Sequence, residues 1–379
     1  MIGPLDEYPV HQVPQPIAWP GSSDRNFYDR CYFNAHDRTG DIFVITGMGY
    51  YPNLGVKDAY LLIGRKDGKF GSSGDTQTAV HLSDAIDADR LNQHVLGYRV
   101  EVKKPLHQVR IVLEETEGIA ADLTWNGLFS VVQEQPHLMR QGSRVTLNAQ
   151  RFAQLGSWSG YLEIDGNHVA VDPQVWIGSR DRSWGIRPVG EPDPPGRPAD
   201  PPFEGMWWLY LPIAFEDFSL VMIIQEAPDG FRSLNDCTRV FSDGRIEQLG
   251  WPRVKIHYRP GTRIPTGATI EATAADGTPV RFDVESKLPC PIHVGGGYGG
   301  DVDWQHGMWR GEKFTERRSY DMNDPGIVAR SGFGVIDHVG RAVCRHGDAP
   351  PAEGWGLFEH GALGRHDPSG FTDWLTVAP

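Results

Sequence analysis

The residues best placed to do chemistry lie in Trp176–Gly190, WIGSRDRSWGIRPVG, where one acid stands between two arginines on a strand-like run. In an extended chain side chains alternate between faces, so Ser179, Asp181 and Ser183 share one face and Arg180, Arg182 and Trp184 share the other. A lone carboxylate among hydroxyls can exchange a proton with a bound molecule. It can equally be ion-paired to Arg180 or Arg182 and pin a junction, because structural pairs perturb acids as readily as active sites do.

A second group of candidates fills the C-terminal third: Tyr298 in GGGYGG, Trp304 and His306 in DVDWQHGMWRGE, then His338, His346, Glu359, His360 and His366. Tyr298 and His306 are the side chains that would assist Asp181 in acid–base work. Trp176, Arg180, Arg182, Trp184, Trp304 and His360 are the candidates for holding a substrate. A metal reading would use His306, Glu312, His360 and His366, but no HExxH spacing is present among the fourteen histidines, so no metal is expected. There is no G-x-S-x-G elbow for a nucleophilic serine and no glycine fingerprint followed by βα units for a dinucleotide. GGGYGG lacks a strand-to-helix context and reads as a closely approached turn, not a phosphate cradle. What remains is acid–base chemistry by Asp, Glu, His and Tyr.

The elements that position these residues are strands. With 45 Gly, 29 Pro and 12 Trp in 379 residues, the chain is punctuated too often for long helices and reads as all-β. Residues 1–24 form an extended, proline-rich arm. Asn26–Thr46 is a hairpin over Asp37-Arg38-Thr39-Gly40, and AYLLIG (Ala59–Gly64) suits a strand buried on both faces. Between Ala85 and Val95 a short helix stays open. Strands follow at 98–102, 109–114, 119–125, 128–133 and 145–152, then a hairpin at Tyr161–Val171 turning on Asp165-Gly166. Glu191–Pro202, EPDPPGRPADPP, lacks the N–H donors of a ladder and is read as the linker between a domain at 1–190 and one at 191–379. Beyond it strands restart at 206–211, 218–224, 238–241 and 253–258. The clearest hairpin is Thr269–Glu285, with one face buried and one wet around Asp276-Gly277.

Charge narrows the partners. A formal net charge of −13 and a pI near 5.5 disfavour nucleic acid and anionic membrane surfaces. No stretch approaches the ~20 apolar residues of a membrane helix, and the first twenty residues have no signal-peptide pattern, so the chain is expected to be soluble and cytoplasmic, with no membrane insertion. The four cysteines, Cys31, Cys237, Cys290 and Cys344, are far apart in sequence and suggest neither a disulfide scaffold nor a zinc site.

A β half, a strand ending Asp181-Arg182-Ser183-Trp184-Gly185, and a second β half together resemble the carotenoid 1,2-hydratase and AttH-like superfamily, which commonly shows Asp-His-x-Trp-Gly at this point. The Asp, Trp and Gly match; Arg182 replaces the His. The resemblance spans nearly the whole chain in layout. It implies two lipocalin-like (calycin-type) antiparallel β-barrels, with Asp181 as the acid of the first barrel's lumen. The expected activity is a cofactor-independent lyase or isomerase acting on a hydrophobic isoprenoid, polyketide-like or aromatic molecule. An arginine beside the acid would hold it ionised and favour proton abstraction. A non-catalytic carrier of a lipophile, or a carbohydrate-active protein with paired acids, would share many of the same features.

Overall fold

The computed structural model describes residue 5 and residues 8–189 and 201–379. The described residues are nearly all β, with 57% strand and 3% helix, in two antiparallel sheets: a nearly closed barrel and a curled half-barrel. Across the first, 14-stranded sheet the path runs Phe314–Asp321, Thr76–Ala85, Val56–Arg65, Ile42–Tyr51, Phe27–His36, Ile177–Ile186, Arg144–Ile164, Ile119–Gly127, Gln108–Thr116, Tyr98–Lys104 and Gln93–Val95. The second, nine-stranded sheet runs Ile246–Gln248, Arg232–Phe241, Phe218–Glu226, Gly205–Ala214, Ala352–Gly364, Ile336–His346, Pro279–Pro291, Pro265–Thr273 and Gly250–Tyr258. Two lipocalin-like barrels describe this arrangement.

Most of the expected strands are present, with the Asp165-Gly166 hairpin closing Ile164 against Asn167 and the Asp276-Gly277 hairpin closing Thr273 against Pro279. Val56–Arg65 is buried on both faces. The open helix between Ala85 and Val95 is instead an irregular run ending in the short strand Gln93–Val95. Among the described residues the one α-helix is Pro325–Ser331, started by Asp324, whose carboxylate accepts from the Gly326 and Ile327 amides. No described helix is long and apolar enough to cross a membrane. Of the proline-rich stretch, residues 191–200 lie outside the described residues, and Pro201 and Pro202 are exposed.

One connection runs against the sequence order. After Pro279–Pro291 in the second sheet, the chain crosses through residues 292–313 and adds Phe314–Asp321 to the edge of the first sheet, beside Thr76–Ala85. The crossing loop, which contains GGGYGG, is pressed tightly against its neighbours. At Gly297, where φ is +78°, a Cβ would lie 2.5 Å from the Trp304 ring, so only glycine fits there.

Among the described residues the three larger apolar clusters follow from this geometry. The first barrel is filled by its own side chains, with Trp125 and Trp158 edge to face at 5.2 Å and Phe33 against Trp158 at 5.9 Å. The second has its own interior around Trp207, Met222 and Phe282. A third cluster joins the outer face of the first sheet to the second sheet, with Tyr32, Tyr60 and Ala153 against Trp208, Tyr210, Val339 and Leu357. The four cysteines are free and buried.

Candidate active site between the two sheets

Register decides which side chains meet between the sheets. Residues paired across adjacent strands point to the same face. Tyr60, Gly47, Tyr32, Asp181 and Ala153 form one such row, and Asp58, Gly49, Arg30, Ser183 and Arg151 form the next. Tyr32 and Ala153 belong to the cluster between the sheets, so Asp181 faces the second sheet and not the lumen of its own barrel. The second sheet answers with a row of its own, Asp337, Glu359 and Tyr210. Tyr32 joins the two sheets directly by donating its hydroxyl to Asp337 Oδ2 at 2.6 Å.

Asp337 and Glu359 lie side by side within hydrogen-bonding reach of each other, and burial together with mutual repulsion pushes the Asp337 carboxyl well above the usual range. Two carboxylates this close cannot both ionise, so the pair retains a proton. That proton also accounts for Asp337 Oδ1, a buried oxygen with no partner if both groups are ionised. Glu359 accepts from the Trp208 indole N–H.

The carboxylate of Asp181 makes no hydrogen bond and no ion pair among the described residues. Burial raises its pKa, and Arg151, Arg30 and Arg187, all at longer range, only partly offset that. The pairing with Arg180 or Arg182 allowed by the sequence does not occur, because both arginines point to the opposite face. Arg180 donates to Gln154 at 2.9 Å, and Arg182 pairs with Asp29 at 2.9 Å and bonds Gln93. Arg151 is committed to Glu134 and lies 4.3 Å over the Tyr210 ring. Asp181, Glu359, Arg151 and Tyr298 are deep between the sheets yet only half-buried. Partial access at such depth is what a cleft lined by these groups produces. Open crevices elsewhere, under residues 15–23 and beside 138–142, are lined by acids that already have basic partners: Asp87 with Lys57, Glu204 with Arg365 and Glu226 with Arg232.

The crossing loop closes one side of the cleft. Tyr298 lies under the Arg30 guanidinium at 4.9 Å, and its hydroxyl is 3.3 Å from that of Tyr60. His306 packs edge-on to Tyr60, Tyr298 and Trp304 with ring centroids 4.7–5.0 Å apart. Burial and neighbouring cations keep it neutral. Trp304 is fully buried and stacks on His81 at 4.4 Å. Asp58, raised to about 7 by burial, accepts from the Gly307 amide at 2.6 Å.

Of the residues singled out in the sequence, Asp181, Tyr298, His306 and Trp304 therefore come together on the inter-sheet side. Trp176, Arg180 and Arg182 line the first barrel instead, and Trp184 is exposed at its rim. His360 turns into the second barrel, bonded to the Trp208 carbonyl and the Tyr258 hydroxyl. The resemblance placed Asp181 in the barrel lumen; the structure corrects this, since that lumen is filled by Trp125, Trp158 and their neighbours. Unforeseen in the sequence were Asp337, Tyr32, Arg30 and Arg151, while Glu359 stood among the C-terminal candidates without a role. A signal for the two acids exists in the paired Asp337-His338 and Glu359-His360 dipeptides, whose acids face the cleft and whose histidines face away.

A search of curated proteins finds no match. Eleven solved chains are similar in structure. Kievitone hydratase from Nectria haematococca aligns at a TM-score of 0.52 with 12% identity over 92% of this chain and 90% of its own. An AttH-type protein from Nitrosomonas europaea aligns at 0.51 with 9% identity over 88% and 92%. At these identities the likeness is one of fold, and it is the fold of the carotenoid hydratase and AttH-like proteins. By sequence, a family profile matches residues 2–372, and the chain belongs to that family of unknown function, DUF8625.

Proposed function

We propose that the chain is a cofactor-independent lyase or isomerase that moves protons on a hydrophobic isoprenoid, polyketide-like or aromatic molecule held between the two sheets, with hydration or dehydration as the reaction the site serves best. The observation that carries this reading is Asp181, an accessible but desolvated carboxylate with no ion-pair partner, set opposite a carboxyl pair that retains a proton. Environments that give neighbouring carboxyls different proton affinities divide the labour of acid and base.

In the hydration direction the Asp337–Glu359 pair gives its proton to one carbon of an electron-rich double bond, and the π electrons form the new C–H bond. Water attacks the other carbon and Asp181 takes its proton. Return of that proton from Asp181 to the pair resets the site, so one water is added and no redox partner is needed. Dehydration is the reverse. The rings of Trp208, Tyr210 and Tyr298 supply apolar walls that suit a cationic intermediate. Both structural neighbours share the fold, and one of them is a hydratase by name.

The experiment is a panel of isoprenoid and aryl alkenes, and their tertiary alcohols, incubated with the full chain in ¹⁸O-labelled water and read by mass spectrometry. Enzyme-dependent ¹⁸O gain or water loss that disappears in Asp181→Asn supports the reading. Binding of panel members with no turnover in any of them makes the protein a carrier and ends it.

A further inference from the structure

The site holds more positive charge than the proton chemistry uses. Arg30 is 5% exposed and Arg187 lies two turns of the alternation beyond Ser183 on the same face as Asp181, yet neither has a carboxylate within ion-pair distance among the described residues. Their contacts are with tyrosines: Arg30 lies 4.9 Å over Tyr298 and hydrogen-bonds the Tyr51 hydroxyl, and Arg187 lies 5.5 Å over Tyr28. The acids nearby are engaged elsewhere. Asp29 pairs with Arg182, Glu134 with Arg151, and Asp58 takes the Gly307 amide and the Tyr51 hydroxyl. Burial and then the Arg30 charge weaken the hold of Arg187 on its proton, whereas at Arg30 the surrounding tyrosines outweigh burial. Arg30 is buried and Arg187 half-buried, and the carboxylates whose charge reaches them, Asp181 for both and Asp58 for Arg30, form no ion pair with either, an arrangement that leaves both guanidiniums short of a direct counter-charge. His306 borders the same space: it is 3% exposed, with its Nδ1 3.7 Å from Asp58 Oδ2 and its ring beside the Gly296 backbone.

We infer that Arg30 and Arg187 form an anion subsite, and that the substrate is an amphiphile with an apolar body and one carboxylate, seated on the two guanidiniums with its reacting carbons beside Asp181. This rests on the reading of Asp181 as the reacting group. The Tyr298 hydroxyl, under the Arg30 guanidinium, is a further donor within the subsite. Guanidinium pairs suit a carboxylate because their planar N–H forks match its two oxygens. Anchoring one end also fixes which carbon meets the acid, the role of remote binding groups in positioning.

The test is binding to the full chain by calorimetry with two matched pairs of probes, geranate against methyl geranate and cinnamate against methyl cinnamate. Each acid should bind more tightly than its ester by about tenfold or more, the range for hydrogen bonds to charged groups. Arg30→Met should bring acid and ester together in a variant that its melting curve shows to be folded, since it removes the guanidinium and keeps an apolar stem. Arg187→Met provides the same reading at a position nearer the strand end. Acids that bind no better than their esters, or that do not bind at millimolar concentration, overturn the subsite, as does an acid preference unchanged in both arginine variants. Asp181→Asn separates the two ideas. An acid preference that persists while Asp181→Asn is fully active overturns the acid–base reading alone, whereas loss of turnover without any acid preference overturns the subsite alone.

Discussion

Replacing Asp181 by Asn separates catalysis from structure because the carboxylate has nothing to lose by way of a partner. Asn keeps the size of the side chain and removes only the charge and the exchangeable proton. Were Asp181 half of a buried ion pair, its removal would strand a guanidinium and cost ~3–5 kcal/mol, a fall of several degrees in melting temperature. The structure gives the opposite expectation. Burial outweighs the attraction of Arg151, Arg30 and Arg187, so the pKa of Asp181 is raised on folding. A raised carboxyl pKa means that the ionised form is less favourable in the fold than in the unfolded chain, by ~1.4 kcal/mol for each unit. Asp181→Asn should therefore melt at or above the wild-type temperature at pH 7. Turnover should fall by ~10²–10⁴, the usual contribution of a positioned acid or base, equal to a barrier increase of ~3–5 kcal/mol. Differential scanning calorimetry and the ¹⁸O assay on the same preparation give both quantities. A variant that melts early, with activity falling only as far as the folded fraction falls, would refute the reasoning.

Glu359→Gln preserves an acceptor for the Trp208 indole but breaks the shared proton with Asp337; kcat should drop with KM little changed, and the residual activity should lose the alkaline decline that deprotonation of the pair imposes, as read from kcat and KM against pH. Asp58 is raised to about 7 by burial. Its unfolded value lies near 3.9, so the folded state binds the extra proton between these values, and stability declines as pH rises from ~4 to 7 at up to ~1.4 kcal/mol per unit. Asp58→Asn should remove that decline, raising stability at pH 8 relative to wild type and leaving it unchanged near pH 4; urea unfolding at the two pH values checks it. His36, His338 and His360 are each lowered to about 3 by burial, so the unfolded chain binds protons that the fold refuses. Stability present above ~6.5 is lost as pH falls toward 3, at ~1.4 kcal/mol per unit for each histidine, and His338→Gln should flatten this acid limb in a pH series of unfolding curves.

How far the sequence carries depends on which physical regularity each residue obeys. Alternation along an extended chain correctly separates Asp181 from Arg180 and Arg182, because that rule needs only the strand assignment. The Asp165-Gly166 hairpin was legible for a similar reason: its two-residue turn needs positive φ at both positions, and few residues accept it. What alternation cannot reveal is which face is the lumen. The resemblance assigned Asp181 to the lumen, whereas Trp125 and Trp158 fill that space and the acid looks outward. The same one-residue parity misdirected attention to His360, whose neighbour Glu359 is the residue in the cleft. Phe314–Asp321 was hidden for another reason. Its sequence, FTERRSYD, has one strongly apolar end and a charged middle, as an edge strand often does, and its partner is more than two hundred residues away.

The site lies between the sheets rather than inside a barrel, and this follows from what each surface can bear. A small barrel interior is filled by its own side chains, and here Trp125, Trp158 and Phe33 leave no place for three carboxyls and their counter-charges. The outer face of the first sheet is different: both rows carry charged or hydroxyl side chains, and only another sheet laid over it can desolvate those groups without filling the space between them. Neither half of the chain holds a complete set, since Asp181, Arg30, Tyr32 and Arg151 come from the first sheet and Asp337, Glu359, Trp208 and Tyr210 from the second. Their relative position is fixed by the Tyr32–Asp337 hydrogen bond and by the crossing loop that carries Phe314–Asp321 back to the first sheet. Loosening either contact moves the carboxyl pair relative to Asp181 without touching any group that exchanges a proton. Tyr32→Phe is thus a positioning change: it deletes one oxygen that stabilises the ionised form of Asp337 and should alter kcat and its pH dependence while Asp181 itself stays in place.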